Sequence, residues 1–222
     1  WTQAMAPLAQ HFRVIAPVSR YYAKGEWDPS WPKFHRGMLA DDHAEFIRQL
    51  GAGPVHLAGW SQGGVVAHLI ALRNPSLVSS VYLFEGAAKL ARSPADAAAL
   101  ANKLGPDLRP VMAPLAEKGP KAVTPAFIDM VAGKKGTFDK MPPEGKARIL
   151  DNARVLPLFM SKLANDAQPV VSCEMIAKSE VPTQIVMGTA TAQFFRHIFA
   201  AYEPCFGQER IKWVEGATHL WP

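Results

Sequence analysis

The sequence predicts the α/β class: a mostly parallel sheet flanked by helices, interrupted by a helical insertion. Three observations carry that prediction. An apolar run at residues 55–60 ends in a glycine-rich turn and passes directly into a helical pattern. A second, β-branched run at 78–84 begins once Asn74-Pro75 has stopped that helix, and alternation of strand and helix builds parallel sheets. Two further short strands, 182–188 and 210–214, enclose another helical stretch, whereas residues 88–177 abandon the alternation altogether.

In chain order, Met5, Leu8 and Phe12 stand at roughly helical spacing, so residues 1–11 read as a helix feeding a short strand, 12–17, that Pro17 closes. Residues 18–34 carry Tyr21, Tyr22, Trp27 and Trp31 without a sustained period. They read as a long loop whose aromatic rings either line a pocket mouth or pack onto the core. Leu39, His43, Phe46, Ile47 and Leu50 recur every three or four positions, an amphipathic helix ending at Gly51 and Gly53. Asp41 and Asp42, near its expected start, suit the positive end of the helix dipole.

Beyond the glycine-rich turn, Val65, Val66, Leu69, Ile70 and Leu72 describe a buried helix, and His68 on it reads as a core or interface histidine. The run 78–84 reads as a buried strand ending at Glu85-Gly86. The insertion 88–177 holds Ala-rich helical pieces such as 95–104, many prolines and most of the excess lysine. After it come the strand 182–188, a helix through Phe195, Ile198, Phe199 and Tyr202, the strand 210–214, and a loop of small residues leading to His219.

Composition bounds the function. At 222 residues the chain can bury a sizeable core as one domain with an inserted subdomain, and 49% hydrophobic with 19% charged residues is the balance of a soluble globular protein. No apolar run approaches the roughly 20 residues that span a bilayer. The net charge of +5 calls for a test of nucleic-acid binding, but the basic residues are scattered, without a stripe interleaved with exposed aromatics. Cys173 and Cys205 lack metal-ligand or redox spacing and read as two free thiols. A small-molecule substrate, with no nucleic acid, membrane, metal or cofactor, and a cytoplasmic location are expected. The oligomeric state is left open.

Chemistry concentrates in Gly59-Trp60-Ser61-Gln62-Gly63. A serine on a sharp strand-to-helix turn is forced into a strained backbone conformation, and flanking glycines let strand and helix approach closely enough to push its hydroxyl outward. Ser61 is therefore the candidate nucleophile. In motif and setting the sequence resembles the α/β-hydrolase fold family, whose nucleophile elbow has this pattern.

That resemblance implies further assignments. Residues 88–177 match the helical cap this family inserts, leaving 1–87 and 178–222 as the core; Phe127, Met130, Leu158, Phe159 and Met160 then either touch ligand or form cap core. A serine hydroxyl needs a base, and the family places its histidine in the loop after the last strand, which is where His219 lies. Most members carry the triad acid about three residues past the strand 182–188, where this chain has Gly188-Thr189-Ala190-Thr191 and no carboxylate between Glu180 and Glu203. Some members take the acid from the end of the strand after the elbow helix, and Glu85 occupies that place, although a glutamate before glycine is also ordinary turn chemistry. The backbone N–H of Gln62 is the expected oxyanion donor; the second would come from a loop before residue 1, so the chain reads as trimmed at both ends. Trp60 either faces substrate or packs against the cap.

The expected activity is hydrolysis of an ester or related acyl compound through an acyl-enzyme, by Ser61, His219 and Glu85, without cofactor. A carbon–carbon bond hydrolase or a cofactor-free perhydrolase would use the same residues. A catalytically silent binding protein or truncated fragment is the alternative of a different class.

Overall fold

The computed structural model describes residues 1–161 and 169–220. Its first half runs α1 (Thr2–Leu8), α2 (Arg36–Leu50), β1 (Val55–Trp60), α3 (Gln62–Arg73), β2 (Val78–Phe84) and the two-residue β3 (Lys89–Leu90). Five helices follow: α4 (Pro94–Lys118), α5 (Pro120–Ala132), α6 (Thr137–Lys140), α7 (Pro143–Asn152) and α8 (Leu156–Phe159). The chain then returns through β4 (Val170–Val171), α9 (Cys173–Ala177), β5 (Thr183–Gly188), α10 (Gln193–Phe199), α11 (Glu203–Phe206) and β6 (Ile211–Val214).

Four strands form one sheet in the order β1-β2-β5-β6, and every pairing is parallel. Register aligns the carboxyl ends: Trp60 faces Phe84, Phe84 faces Val186, and Gly188 faces Val214. Parallel neighbours need crossovers, which α3 and the helical insertion supply between β1, β2 and β5. The centre of the core is made by Val81 and Leu83 on β2, Ile185 and Met187 on β5, Leu69 and Ile70 on α3, and Leu39 on α2. All seven are at most 2% exposed, so the middle of the sheet is apolar on the side that receives α2 and α3.

The helical stretch α4–α8 has a small core of its own, in which Val111, Val123 and Leu156 are buried with Phe127, Met130, Phe159 and Met160 packed against them. Phe127 and Met130 also pack with Val131, Ala192 and Phe195, joining the insertion to the helix after β5. At its base, β3 pairs with β4, so the outgoing and returning strands of the insertion are tied side by side. Residues 162–168 of the expected cap lie outside the described residues.

Three expectations are corrected. Residues 12–17 form no strand: Phe12 meets the His56 ring beside β1, but Phe12, Ile15 and Val18 stay exposed and the segment joins no ladder. A strand is defined by a partner's hydrogen bonds, which an apolar pattern alone does not provide. Helix α2 begins earlier than its apolar pattern suggests, capped by the His35 side chain, which accepts from Met38 N–H. Asp41 and Asp42 therefore stand beyond its first turn and pair with Arg73 and Arg20 instead of serving the dipole. Cys173 and Cys205 are not free thiols but form a disulfide, because packing of α9 against α11 brings their Cα atoms to 4.8 Å.

Candidate active site

The site grows from the turn between β1 and α3. Ser61 adopts φ 52°, ψ −118°, a left-handed conformation costing a non-glycine residue of order 1–3 kcal/mol. The surroundings impose it. The Ser61 N–H donates to Phe84 O at 2.8 Å, tying the turn to the end of β2. A Cβ added at Gly59 would lie 2.3 Å from Gly63 O, and one at Gly86 would lie 1.9 Å from Ser61 O. Only glycine permits either approach, so strand, helix and the β2 exit are pressed around the serine.

Glu85, the residue between β2 and Gly86, also has a positive φ of 50°. Its side chain is fully buried, where a carboxylate must be paired. Oε1 accepts from Gly188 N–H at 2.7 Å, and Oε2 accepts from the Thr191 hydroxyl at 2.6 Å and from His219 Nδ1 at 2.8 Å. A carboxylate can only accept, so the proton in this bond belongs to Nδ1, and in a neutral imidazole that tautomer leaves the lone pair on Nε2. These contacts follow from the sheet: β2 and β5 end side by side, and the loop after β6 crosses their ends.

Two aromatic rings flank His219. Phe195 of α10 stacks on the imidazole with centroids 3.6 Å apart and planes 11° from parallel. Trp60, next to Ser61, donates its indole N–H to His219 O at 2.8 Å, and its ring centroid is 5.5 Å from the imidazole. The histidine loop is thereby bound to the elbow itself. A Cβ at Gly188 would fall 2.1 Å from Ala217 O, so the loop lies directly on the end of β5.

Gln62 opens α3. Its side-chain Oε1 accepts from the Tyr22 hydroxyl at 2.5 Å, and burial pushes the Tyr22 phenol up to about 12, so it remains a donor through the physiological range. Gln62 Nε2 is buried without a hydrogen-bond partner among the described residues. Beside them the Arg36 guanidinium, nearly buried, lies over the Phe159 ring at 4.6 Å. His68 is apart from this constellation: it is 1% exposed, its Nδ1 accepts from Ala88 N–H at 3.1 Å, and burial lowers it to about 4.

The matching family model settles the kinship: it describes the alpha/beta hydrolase fold and covers residues 1–120, more than half of the chain. The chain belongs to the alpha/beta hydrolase fold family. Within this family it resembles RutD of Pantoea ananatis, named as a carbamate hydrolase, with 33% identity over 87 residues. That match takes in 39% of this chain and 31% of the relative, so the chain spans about a third of the curated relative's length. A thermophilic esterase from Thermogutta terrifontis has the same fold, with TM-score 0.70 and 21% identity over 99% of this chain and 77% of that one. A carboxylesterase structure from Nitrososphaera gargenis superposes with TM-score 0.66 and 14% identity, over 98% and 76% of the two chains.

As a member of this family the chain brings Ser61, Glu85, Trp60 and His219 to one end of the sheet, with Gln62 at the start of the elbow helix. Sequence reasoning missed four neighbours. Thr191 stands in the turn where the sequence lacks a carboxylate, and it is instead a hydrogen-bond donor to one. By sequence alone Phe195 reads as a helix-face residue, Tyr22 as part of a loop, and Gly86 as turn chemistry. Only the Glu85-Gly86 pair carried a usable signal: a glycine after a strand-end acid, opposite another glycine-flanked turn. Among the described residues no group of three His, Cys, Asp or Glu side chains could hold a metal ion.

Proposed function

We propose that the chain is a serine hydrolase acting on an ester or related acyl compound. The observation that carries the reading is the buried Glu85–His219 hydrogen bond of 2.8 Å beside an elbow whose serine is held at φ 52°. A carboxylate that fixes Nδ1–H presents a basic Nε2, the tautomer a serine hydroxyl requires. In the proposed reaction Ser61 Oγ attacks the substrate carbonyl while His219 Nε2 takes its proton, and the Gln62 N–H at the start of α3 stabilises the oxyanion. His219 then protonates the leaving group, water attacks the acyl-enzyme, and Ser61 is regenerated. The helices α4–α8 are read as the cap over this site, where Phe127 and Met130 pack against the cluster that holds Phe195, the ring stacked on His219.

Esters and carbamates both present a carbonyl bearing a heteroatom leaving group, and the esterase folds and RutD's name support that class. The Cys173–Cys205 bond favours an oxidising compartment over the cytoplasm expected from the sequence. No helix among the described residues is long and apolar enough to cross a membrane. The test is turnover of p-nitrophenyl acetate and of a p-nitrophenyl carbamate by the wild type and Ser61→Ala. Turnover that disappears in the variant supports the reading; equal rates in both exclude Ser61 as nucleophile.

A further inference from the structure

Thr191 lies in the turn after β5, and it is 5% exposed. That turn is secured without its hydroxyl. Thr189 N–H donates to Val214 O at 3.0 Å, Ala190 N–H to Ala217 O at 2.9 Å, and Thr191 N–H to Gly188 O at 3.2 Å. Thr189 Oγ1 also accepts from Gly216 N–H at 2.8 Å. The Thr191 hydroxyl is left with one task, the 2.6 Å bond to Glu85 Oε2.

We propose that Thr191 is a positioning residue whose hydroxyl clamps the Glu85 carboxylate in the orientation that holds His219. The inference rests on the serine-hydrolase reading and assigns a residue that reading does not need. With Gly188 N–H on Oε1 and only His219 on Oε2, the carboxyl group could turn about its last bond and carry the imidazole with it. A second donor on Oε2 closes that freedom, since each oxygen then has a partner fixed to the β5 turn. A hydroxyl suits the place because a second carboxylate there would repel Glu85. The acid at the end of β2 and the hydroxyl after β5 are thus complementary halves of one support.

The experiment compares Thr191→Val and Thr191→Ser with the wild type in three measurements: the rate of fluorophosphonate labelling, kcat and KM on p-nitrophenyl acetate, and the far-downfield proton resonance of His219 Nδ1–H. Losing one hydrogen bond to a charged group lowers kcat and the labelling rate about tenfold in Thr191→Val. KM stays the same, the downfield resonance moves, and Thr191→Ser recovers all three. If Thr191→Val does not fold, Thr191→Ala takes its place against the serine variant. Wild-type rates and an unmoved resonance in a folded variant lacking the hydroxyl overturn the proposal. Glu85→Gln separates this from the parent reading: full activity there removes the triad itself, whereas slow Glu85→Gln beside fast Thr191→Val removes only the role of Thr191.

Discussion

Glu85→Gln is the most informative single change, because its consequence follows from donors and acceptors alone. The native carboxylate accepts from Gly188 N–H, the Thr191 hydroxyl and His219 Nδ1–H, all within 2.8 Å and out of contact with water. A glutamine offers one acceptor oxygen and one NH2. If the oxygen turns toward His219, the NH2 meets the Gly188 N–H donor to donor, and an unpaired buried donor costs about 1–3 kcal/mol. If the oxygen stays on Gly188, the NH2 donates to His219 Nδ1, and the Thr191 hydroxyl can rotate to accept from it. The second arrangement wastes no hydrogen bond and prevails, but it places the imidazole proton on Nε2, where it cannot accept from Ser61. We therefore expect kcat to fall by about 10^3–10^4, the loss typical of a wrong tautomer, with KM nearly unchanged. Stability should fall by about 1 kcal/mol or less, since the hydrogen-bond count is kept; for a chain of this size that is a drop of roughly 2–4 °C in Tm. Steady-state hydrolysis of p-nitrophenyl acetate and a thermal melt measure both quantities. Activity within threefold of the wild type would refute the reasoning, as would unfolding of the variant.

Further outcomes follow from the same geometry. Ser61→Gly should abolish hydrolysis yet raise stability by about 1 kcal/mol, because glycine is at ease at φ 52°; a lower midpoint in chemical denaturation contradicts the strained elbow. Gly86→Ala drives a methyl group to 1.9 Å from Ser61 O, so it should cost about 1–3 kcal/mol and remove fluorophosphonate labelling; a labelled, stable variant would show that the elbow tolerates displacement. His68 is buried neutral with its folded value near 4 against about 6.5 unfolded, so the unfolded chain binds more protons between these values and stability is lost as pH falls from 6.5 to 4. The loss is about 3 kcal/mol, and His68→Asn, which keeps an acceptor for Ala88 N–H, should flatten denaturation midpoints across that window. Reducing the Cys173–Cys205 bond reopens a 32-residue separation and should cost about 3–4 kcal/mol; a melt unchanged by dithiothreitol shows that the bond contributes nothing.

Much of the fold is legible in the sequence because local patterns dictate it. The strand at 78–84 was bounded to the residue by Pro75 before it and Glu85-Gly86 after it, and the elbow by its glycines. The meeting of Glu85 with His219 could be anticipated because parallel strands end on one side, so the ends of β2 and β6 share a neighbourhood across β5. What was not legible depends on partners distant in the chain. Residues 12–17 have a strand's composition, but no pattern tells whether a neighbour's hydrogen bonds will reach them. The cysteine pair, 32 residues apart, has no local signature until α9 packs on α11. Phe195 and Thr191 look like any helix-face aromatic and any turn threonine, and they gain meaning only when the loop after β6 folds over β5 and lays His219 against the Phe195 ring and the carboxylate that Thr191 holds.

Mapping a fluorophosphonate adduct by peptide mass spectrometry tests the central claim most directly, because only a serine served by a nearby base reacts. The expected result is one adduct per chain, on the peptide containing Ser61, formed by the wild type and lost in His219→Ala. An adduct on another serine, or equal labelling of Ser61 without His219, would contradict the partnership on which the proposed chemistry depends.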